Sequence, residues 1–381
     1  MKNLYLSIFF IFILILNGSS QEQISSNDRL VQITFGYPIG SNGIISPQYS
    51  NHFSLNILYG VNGGVKGCEI GSLLNYNKGM VSGFQLSGIS NINIGKTKGG
   101  SISGITNIFT DSTSGISISG ILNFSKSYMK GVQLGVGNIS LQNMDGVQIG
   151  VINYGKTVKG FQLGVINLTH NMNGSQIGVV NYNSGMKGFQ LGVINLGMKF
   201  KGIQLGVINI DNSDEGAIPI GLISIVKNGF YEFELTGGEA IFSNLNYKMG
   251  VERFYTLFKV GYTLFKSNEI YSYGMGFGSH ISLNENQKIS IDLSTNQIIN
   301  NNNWGSGNLN MLHKLDINYK YYFLKRFSFL IGPSFNVYLT QEKTDEEFGT
   351  IPIPYNIFSR EWNSSKLFMW IGVNAGLSVK L

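Results

Sequence analysis

The chain has 381 residues, of which 50 are glycine and 6 are proline, and charged residues make up only 13%. The formal net charge is +6, but the Lys and Arg residues are scattered, which argues against a nucleic-acid-binding protein. Cys68 is the single cysteine, so an internal disulfide framework is excluded. The glycine and aromatic content favours a β-rich protein.

Residues 1–20 have the features of a secretory signal peptide. Lys2 supplies a positive charge, Leu4 to Leu16 is almost continuously apolar, and small residues follow before Gln21. The apolar run is shorter than the roughly 20 residues that a membrane-spanning helix needs. We therefore predict an exported protein whose signal peptide is removed.

Residues 21–65 contain two segments, Val31–Tyr37 and Asn51–Tyr59, whose alternation predicts N-terminal strands. A repeat then occupies residues 66–226. Its first copies, such as GFQLSGISN, begin at glycines 67, 83, 99 and 115, which is a spacing of 16 residues. From Gly131 the copies resemble GFQLGVIN, and the spacing settles to 14. The repeat residues singled out as structural are Gly131, Gln133, Asn138, Gly146, Gln148, Asn153, Gly160, Gln162, Asn167, Gly174, Gln176, Asn181, Gly188, Gln190, Asn195, Gly202, Gln204 and Asn209.

Two arrangements of the repeat compete. In a β-solenoid each copy is one coil, and the asparagines stack in a buried ladder. In an antiparallel meander each copy is one strand, and alternate strands differ in environment. The residues after the asparagines, Tyr154, Leu168, Tyr182 and Leu196, alternate in this way. The sequence therefore favours the meander, most simply as a many-stranded outer-membrane β-barrel that includes the repeats. The alternative is a repeat solenoid or extended sheet followed by an eight-stranded C-terminal barrel.

Residues 227–381 predict long strands with one apolar face. In the segment Leu309–Phe323, alternate residues are apolar and the residues between them include Lys314, Asp316 and Lys320. Long polar loops are expected at 298–308 and 340–365. Long one-faced strands with short turns and longer loops are typical of transmembrane β-strands.

Catalytic and metal-binding constellations are missing from the sequence. The four histidines, His52, His170, His280 and His313, are far apart and have no partner at metal-ligand spacing. We therefore expect no catalytic residues, no cofactor and no metal site.

The copies from Gly131 to Asn209 resemble a family of bacterial surface-repeat proteins, in which GxQLGVIN-type units follow a signal peptide. The resemblance covers about residues 30–265, and it implies a surface or outer-membrane location without an established activity. The last third of the chain separately resembles outer-membrane barrels. We thus expect a non-enzymatic outer-membrane or cell-surface protein with a scaffold or binding role, whose partners are membrane lipid and an unidentified surface ligand. The alternative is a pore or transporter with a lumen lined by the repeat glutamines.

Overall fold

A computed structural model describes residues 27–213, 216–300, 304, 307–344 and 347–381. The predicted signal peptide lies outside these described residues. The protein is all-β, with a parallel β-solenoid-like sheet and a separate eight-stranded antiparallel barrel. Two compact units divide the chain, Met1–Gln142 and Asn143–Leu381, and each is described by itself.

The first unit consists of short strands and one 3₁₀ helix. Its elements are β1 (Asn27–Gly36), β2 (Ile39–Gly40), a 3₁₀ helix (Gly43–Gln48), β3 (Tyr49–Asn62), β4 (Gly64–Gly71), β5 (Leu74–Asn77), β6 (Val81–Ser87), β7 (Ser90–Asn93), β8 (Thr97–Ser103), β9 (Thr106–Phe109), β10 (Thr113–Ser119), β11 (Leu122–Ser125), β12 (Met129–Leu134) and β13 (Gly137–Ile149), within which the unit ends.

Among the repeat strands of the first unit, pairing is parallel and follows the 16-residue repeat, whereas β1 and β2 before the repeat pair antiparallel. Strand β6 pairs with β8 so that Gly83 faces Gly99, and β7 pairs with β9 so that Asn91 faces Asn107. Each repeat copy is thus one coil with two short strands, and equivalent residues of successive coils lie side by side.

The second unit contains further coils and then the barrel. Its elements are β14 (Ile152–Leu163), β15 (Ile166–Ile177), β16 (Val180–Gly197), β17 (Phe200–Asp211), β18 (Ile218–Val226), β19 (Phe230–Gly238), β20 (Ser243–Val251), β21 (Phe254–Phe265), β22 (Asn268–Ser282), β23 (Gln287–Asn300), β24 (Asn310–Tyr322), β25 (Phe327–Thr340), β26 (Lys343–Thr344), β27 (Glu347–Phe348), β28 (Phe358–Trp362) and β29 (Ser365–Lys380).

The antiparallel arrangement predicted for the repeats is wrong. Strands β14 to β18 pair in parallel with a shift of one copy, and Gln162 lies beside Gln176. Tyr154 and Leu168 are direct neighbours in one column, so their alternation does not mark opposite strand directions. Parallel stacking is favoured because it places like amides next to like amides, and each amide can then donate to one neighbour and accept from the other.

Each coil turns sharply at one corner. In the copy that begins at Gly160, β14 ends at Leu163 and β15 begins at Ile166, so the chain turns at Gly164-Val165. The interior of the coil is largely polar. At the end of the coil opposite the Gly164-Val165 corner, the interior is instead lined by a column of buried apolar residues. That column consists of Met144, Val158, Met172, Met186 and Phe200.

The last part of the chain forms the barrel that the sequence offered as an alternative. Strands β19 to β25 and β29 pair antiparallel in order, and β19 pairs with β29 to close the sheet. The many-stranded barrel that includes the repeats, expected as the simplest arrangement, does not form because the repeat strands and the barrel strands belong to separate sheets. Short turns at one end connect β20 to β21, β22 to β23 and β24 to β25.

The two faces of the barrel differ sharply in polarity. Residues that point inward along β24 are buried and mostly polar, including Lys314, Asp316 and Lys320. Residues that point outward are apolar and exposed, and together they form what we call the apolar belt. The belt includes Phe233, Leu235, Leu245, Val260, Tyr262, Leu264, Tyr273, Met275, Phe277, Leu293, Ile317, Phe329, Ile331, Phe335, Ile371, Val373 and Leu377. The barrel therefore has the polarity opposite to that of a soluble domain.

Candidate functional site

The repeat glutamines of the second unit form a continuous hydrogen-bonded column, the glutamine ladder. The side-chain Nε2 of Gln176 donates to Oε1 of Gln162 at 2.9 Å, and Gln190 donates to Gln176 at 2.8 Å. Gln162 also donates to Gln148, and Gln204 donates to Gln190. All of these side chains are completely buried. The glutamines thus fill the coil interior.

The repeat asparagines form a second column, the asparagine ladder. Asn167 Nδ2 donates to Asn181 Oδ1 at 2.8 Å and also to the backbone carbonyl of Ile177 at 2.9 Å. The same pair of bonds recurs at Asn153, Asn181 and Asn195. Each of these amides therefore joins its coil to the next one, through the asparagine and through the backbone at the corner of that next coil.

The first repeat glycine allows neighbouring coils to approach closely. Gly174 has a φ of +145°, and a Cβ added there would lie 1.9 Å from the carbonyl oxygen of Gly160. The equivalent glycines at 131, 146, 160, 188 and 202 also have positive φ. A residue with a side chain would be strained in this conformation and would also clash.

The first unit has an asparagine column of its own, but its glutamine column differs in composition. Asn75, Asn91 and Asn107 donate successively to the next asparagine at 2.9 to 3.0 Å. At the glutamine position of the first copy stands Glu69, which is completely buried. Four side-chain amides donate to its carboxylate, from Asn56, Asn62, Asn77 and Gln85.

Burial dominates the electrostatics of Glu69. It raises the pKa of this carboxyl above its ordinary value, and the four amide donors oppose that effect without cancelling it. The sequence prediction missed Glu69. The available signal was the copy GCEIG, in which glutamate replaces the recurring glutamine or serine.

Ion pairs fill the middle of the barrel lumen. Lys320 contacts the carboxylates of Glu232 and Glu234, and its distance to Glu234 is 2.8 Å. Lys248 bridges Glu234 at 2.8 Å and Asp292 at 2.7 Å. The relative exposure of these side chains is at most 6%. The sequence placed Lys320 on the polar face of its strand, but it did not reveal which carboxylates lie opposite.

Apolar and aromatic residues close the lumen on both sides of the ion pairs. At the short-turn end, the tilted rings of Phe230 and Tyr255 pack against His280, whose two ring nitrogens have no hydrogen-bond partner in the structure. Toward the other end, Trp370 and Tyr338 belong to a buried cluster with residues from several strands. The described lumen is therefore packed with side chains.

His280 and His313 have different neighbours in the structure. His313 Nδ1 is 3.0 Å from the hydroxyl of Thr295, and no other histidine shares this contact. Among the described residues, no group of three or more His, Cys, Asp or Glu side chains is arranged to hold a metal ion. The loop predicted at 340–365 contains three consecutive acidic residues at 345–347, and the first two of them lie outside the described part of the chain.

Comparisons with known proteins do not assign the chain to a family. No family model, no curated protein and no solved structure matches it. A search of the described residues for helices that are long and apolar enough to cross a membrane found none.

Proposed function

We propose that the protein is an exported, non-enzymatic outer-membrane protein with a membrane anchor and a repeat scaffold. In this proposal the barrel is embedded in lipid, and the repeat coils present surfaces and loops that bind a ligand at the membrane or cell surface. The polarity of the barrel carries the proposal, because its outward side chains are apolar and exposed while its charged side chains are buried inside.

A lipid environment accounts for this reversed polarity. The closed sheet pairs every strand with two neighbours, so it leaves no unpaired edge in the hydrocarbon region. The eight strands contain 9 to 16 residues, which suits the 9–11 tilted residues that cross a bilayer. In water, the same belt would be a large exposed apolar surface with no partner.

The packed lumen favours an anchor over a pore. A conducting barrel needs an open polar channel, whereas Lys320, Glu234 and Asp292 occupy the centre of this lumen in direct contact with other side chains. The repeat glutamines lie in the coil interiors and do not line the barrel. A pore with a glutamine-lined lumen therefore has less support than a membrane-anchored scaffold.

Two matched leucine variants test the membrane insertion. Leu293 lies in the middle of β23 on the apolar belt, and Leu324 lies in a short turn; both are 59% exposed. If the belt contacts lipid, Leu293→Arg destabilises the folded protein by about 2–4 kcal/mol, whereas Leu324→Arg near the interface costs about 0–1 kcal/mol. Folding of each variant into lipid vesicles is measured from the fraction that migrates as the compact, heat-modifiable form on a gel.

A soluble protein would give a different result. Both arginines would then point into water and have equally small effects, and the protein would be recovered in the periplasmic fraction without detergent. That outcome would refute the anchor. Planar-bilayer recordings test whether the barrel is a closed anchor or a pore. We expect no stable channels, and a reproducible conductance would instead support the pore.

A further inference from the structure

One corner of every 14-residue coil carries apolar side chains that face outward. At this corner, apolar residues flank a glycine, and several of those that point away from the coil are 36–47% exposed. We call the line that they form across successive coils the apolar ridge. Its residues are Leu163, Val165, Val179, Leu191, Val193, Leu205, Val207 and Leu222.

The opposite side of the coils is polar. Lys159, Asn173, Lys187 and Lys201 are exposed there, next to the buried methionine and phenylalanine column. Neighbouring coils are about 4.8 Å apart, the usual spacing of paired strands, so the ridge residues form an unbroken strip. Contiguous apolar surface of this kind on a folded protein marks an interaction or membrane site.

The ridge begins at the outer wall of the barrel. Gly221 is the corner glycine of the last coil, and it pairs in register with the corner glycine Gly206. Its carbonyl oxygen accepts a hydrogen bond of 2.5 Å from the hydroxyl of Thr256. Thr256 is on the outer face of β21, because its neighbour Tyr255 points into the lumen and bonds Asp292 there.

The contact lies where the apolar belt meets the short-turn end. Thr256 follows closely after the start of β21 at Phe254, and the coil covers it almost completely. Farther along β21, the outward side chains of Val260 and Leu264 belong to the belt and are 54% and 55% exposed. The ridge and the belt are therefore joined at the edge of the belt.

We propose that the apolar ridge lies in the bilayer leaflet on the short-turn side, so that the coils extend along the membrane with lipid as their partner. This inference rests on the proposed membrane anchor. With the belt in lipid, the bond between Thr256 and Gly221 holds the start of the ridge at the level of the headgroups. The exterior of the coils then resembles an interfacial amphipathic element, with one apolar side and one lysine-bearing side.

The side chains of the ridge favour lipid over a protein partner. Protein interfaces concentrate their binding energy in aromatic and arginine anchors that fill pockets. The ridge residues named above are leucines and valines, and they recur at the corners of successive coils. A lipid surface requires no shape match, and a series of small apolar side chains is sufficient for it.

Depth-dependent fluorescence quenching tests the proposal on the full-length protein in phosphatidylcholine–phosphatidylglycerol vesicles. Three single-cysteine variants in a Cys68→Ser background are compared: Val193→Cys on the ridge, Lys187→Cys on the opposite side of the same coil, and Leu293→Cys on the belt. Each is labelled with an environment-sensitive dye, and lipids with spin-labelled acyl chains are the quencher. Migration as the heat-modifiable compact form confirms that each labelled variant is folded.

The result expected is that labels at 193 and 293 lose most of their fluorescence, while the label at 187 keeps nearly all of it. Quenching at 293 without quenching at 193 would overturn the ridge proposal and leave the membrane anchor intact. The ridge proposal would also fail if the label at 193 were shielded from water but unquenched, with energy transfer between copies, because a second copy would then cover the ridge. Absence of quenching at all three positions would refute the anchor, and the ridge proposal with it.

Discussion

Gln190 lies within the glutamine ladder, and replacing it with leucine breaks two amide–amide hydrogen bonds. Its Nε2 donates to Gln176 Oε1 at 2.8 Å, and its Oε1 accepts from Gln204 Nε2 at 2.8 Å. Leucine has a similar size but neither a donor nor an acceptor. Gln190→Leu therefore leaves an amide N–H of Gln204 and the amide oxygen of Gln176 without these partners inside the coil.

The cost follows from the number of groups left unpaired. A buried donor or acceptor without a partner costs roughly 1–3 kcal/mol, so two of them cost about 2–6 kcal/mol. Both affected side chains are completely buried, so water cannot replace the lost bonds without opening the coil. We expect the coils around β16 and β17 to become the least stable part of the repeat.

Gln204 provides a matched control at the end of the ladder. It donates to Gln190, but its own Oε1 is buried without a hydrogen-bond partner. Gln204→Leu therefore leaves one acceptor unpaired, removes an oxygen that was already unpaired, and costs less than the roughly 1–3 kcal/mol of a single group. The predicted order of stability is wild type, then Gln204→Leu, then Gln190→Leu.

Hydrogen exchange measured by mass spectrometry resolves this order, because the barrel and the coils need not unfold together. Protection of amides in β16 and β17 is compared for the three proteins in detergent, and urea unfolding provides the corresponding free energies. Equal protection in Gln190→Leu and Gln204→Leu would refute the reasoning, since it would mean that the amide ladder does not set the stability of the coils.

Three further outcomes are expected. Gly174→Ala destabilises the coils by about 2 kcal/mol or more, because it adds strain and a backbone clash, whereas Gly185→Ala, with ordinary φ, has a smaller effect; thermal unfolding compares them. The raised pKa of Glu69 means that the folded state binds more protons than the unfolded state, so the stability of the first unit falls as the pH rises from about 4.3, the ordinary glutamate pKa, through the folded pKa. We expect Glu69→Gln to remove this pH dependence of the unfolding free energy, as measured by urea unfolding across the same pH range. An unchanged pH dependence in the variant would show that Glu69 is not its source. Lys320→Met leaves the buried carboxylate of Glu232 without its cation, while Glu234 keeps Lys248, and it costs about 3–5 kcal/mol, which appears as loss of the compact gel form at lower temperature.

The sequence predicted strand structure and the repeat correctly because both depend on local spacing. Side chains in a strand alternate between two faces, and copies at a constant interval place equivalent residues in equivalent environments. The alternation in the segment from Leu309 to Phe323 likewise predicted β24 and its polar face.

The direction of the repeat strands could not be derived from the alternation alone, because parallel and antiparallel strands alternate in the same way. One clue was present in the spacing. Gln162 and Asn167 are five residues apart, so a continuous strand would place them on opposite faces, yet both are completely buried. This is possible only because the chain turns at Gly164-Val165, and such a turn makes each copy a coil.

The sequence by itself thus determined the β-class, the repeat interval and the division of each strand into a polar and an apolar face. Only the tertiary structure decided that the polar faces point inward, both in the coils and in the barrel. The reason is that alternation divides a strand into two faces, but the pairing with other strands determines which face is buried. In this protein the amides hydrogen-bond to like amides in the next coil, and Lys320 forms ion pairs with Glu232 and Glu234 from a distant strand. These long-range pairings leave the leucines and valines on the outside.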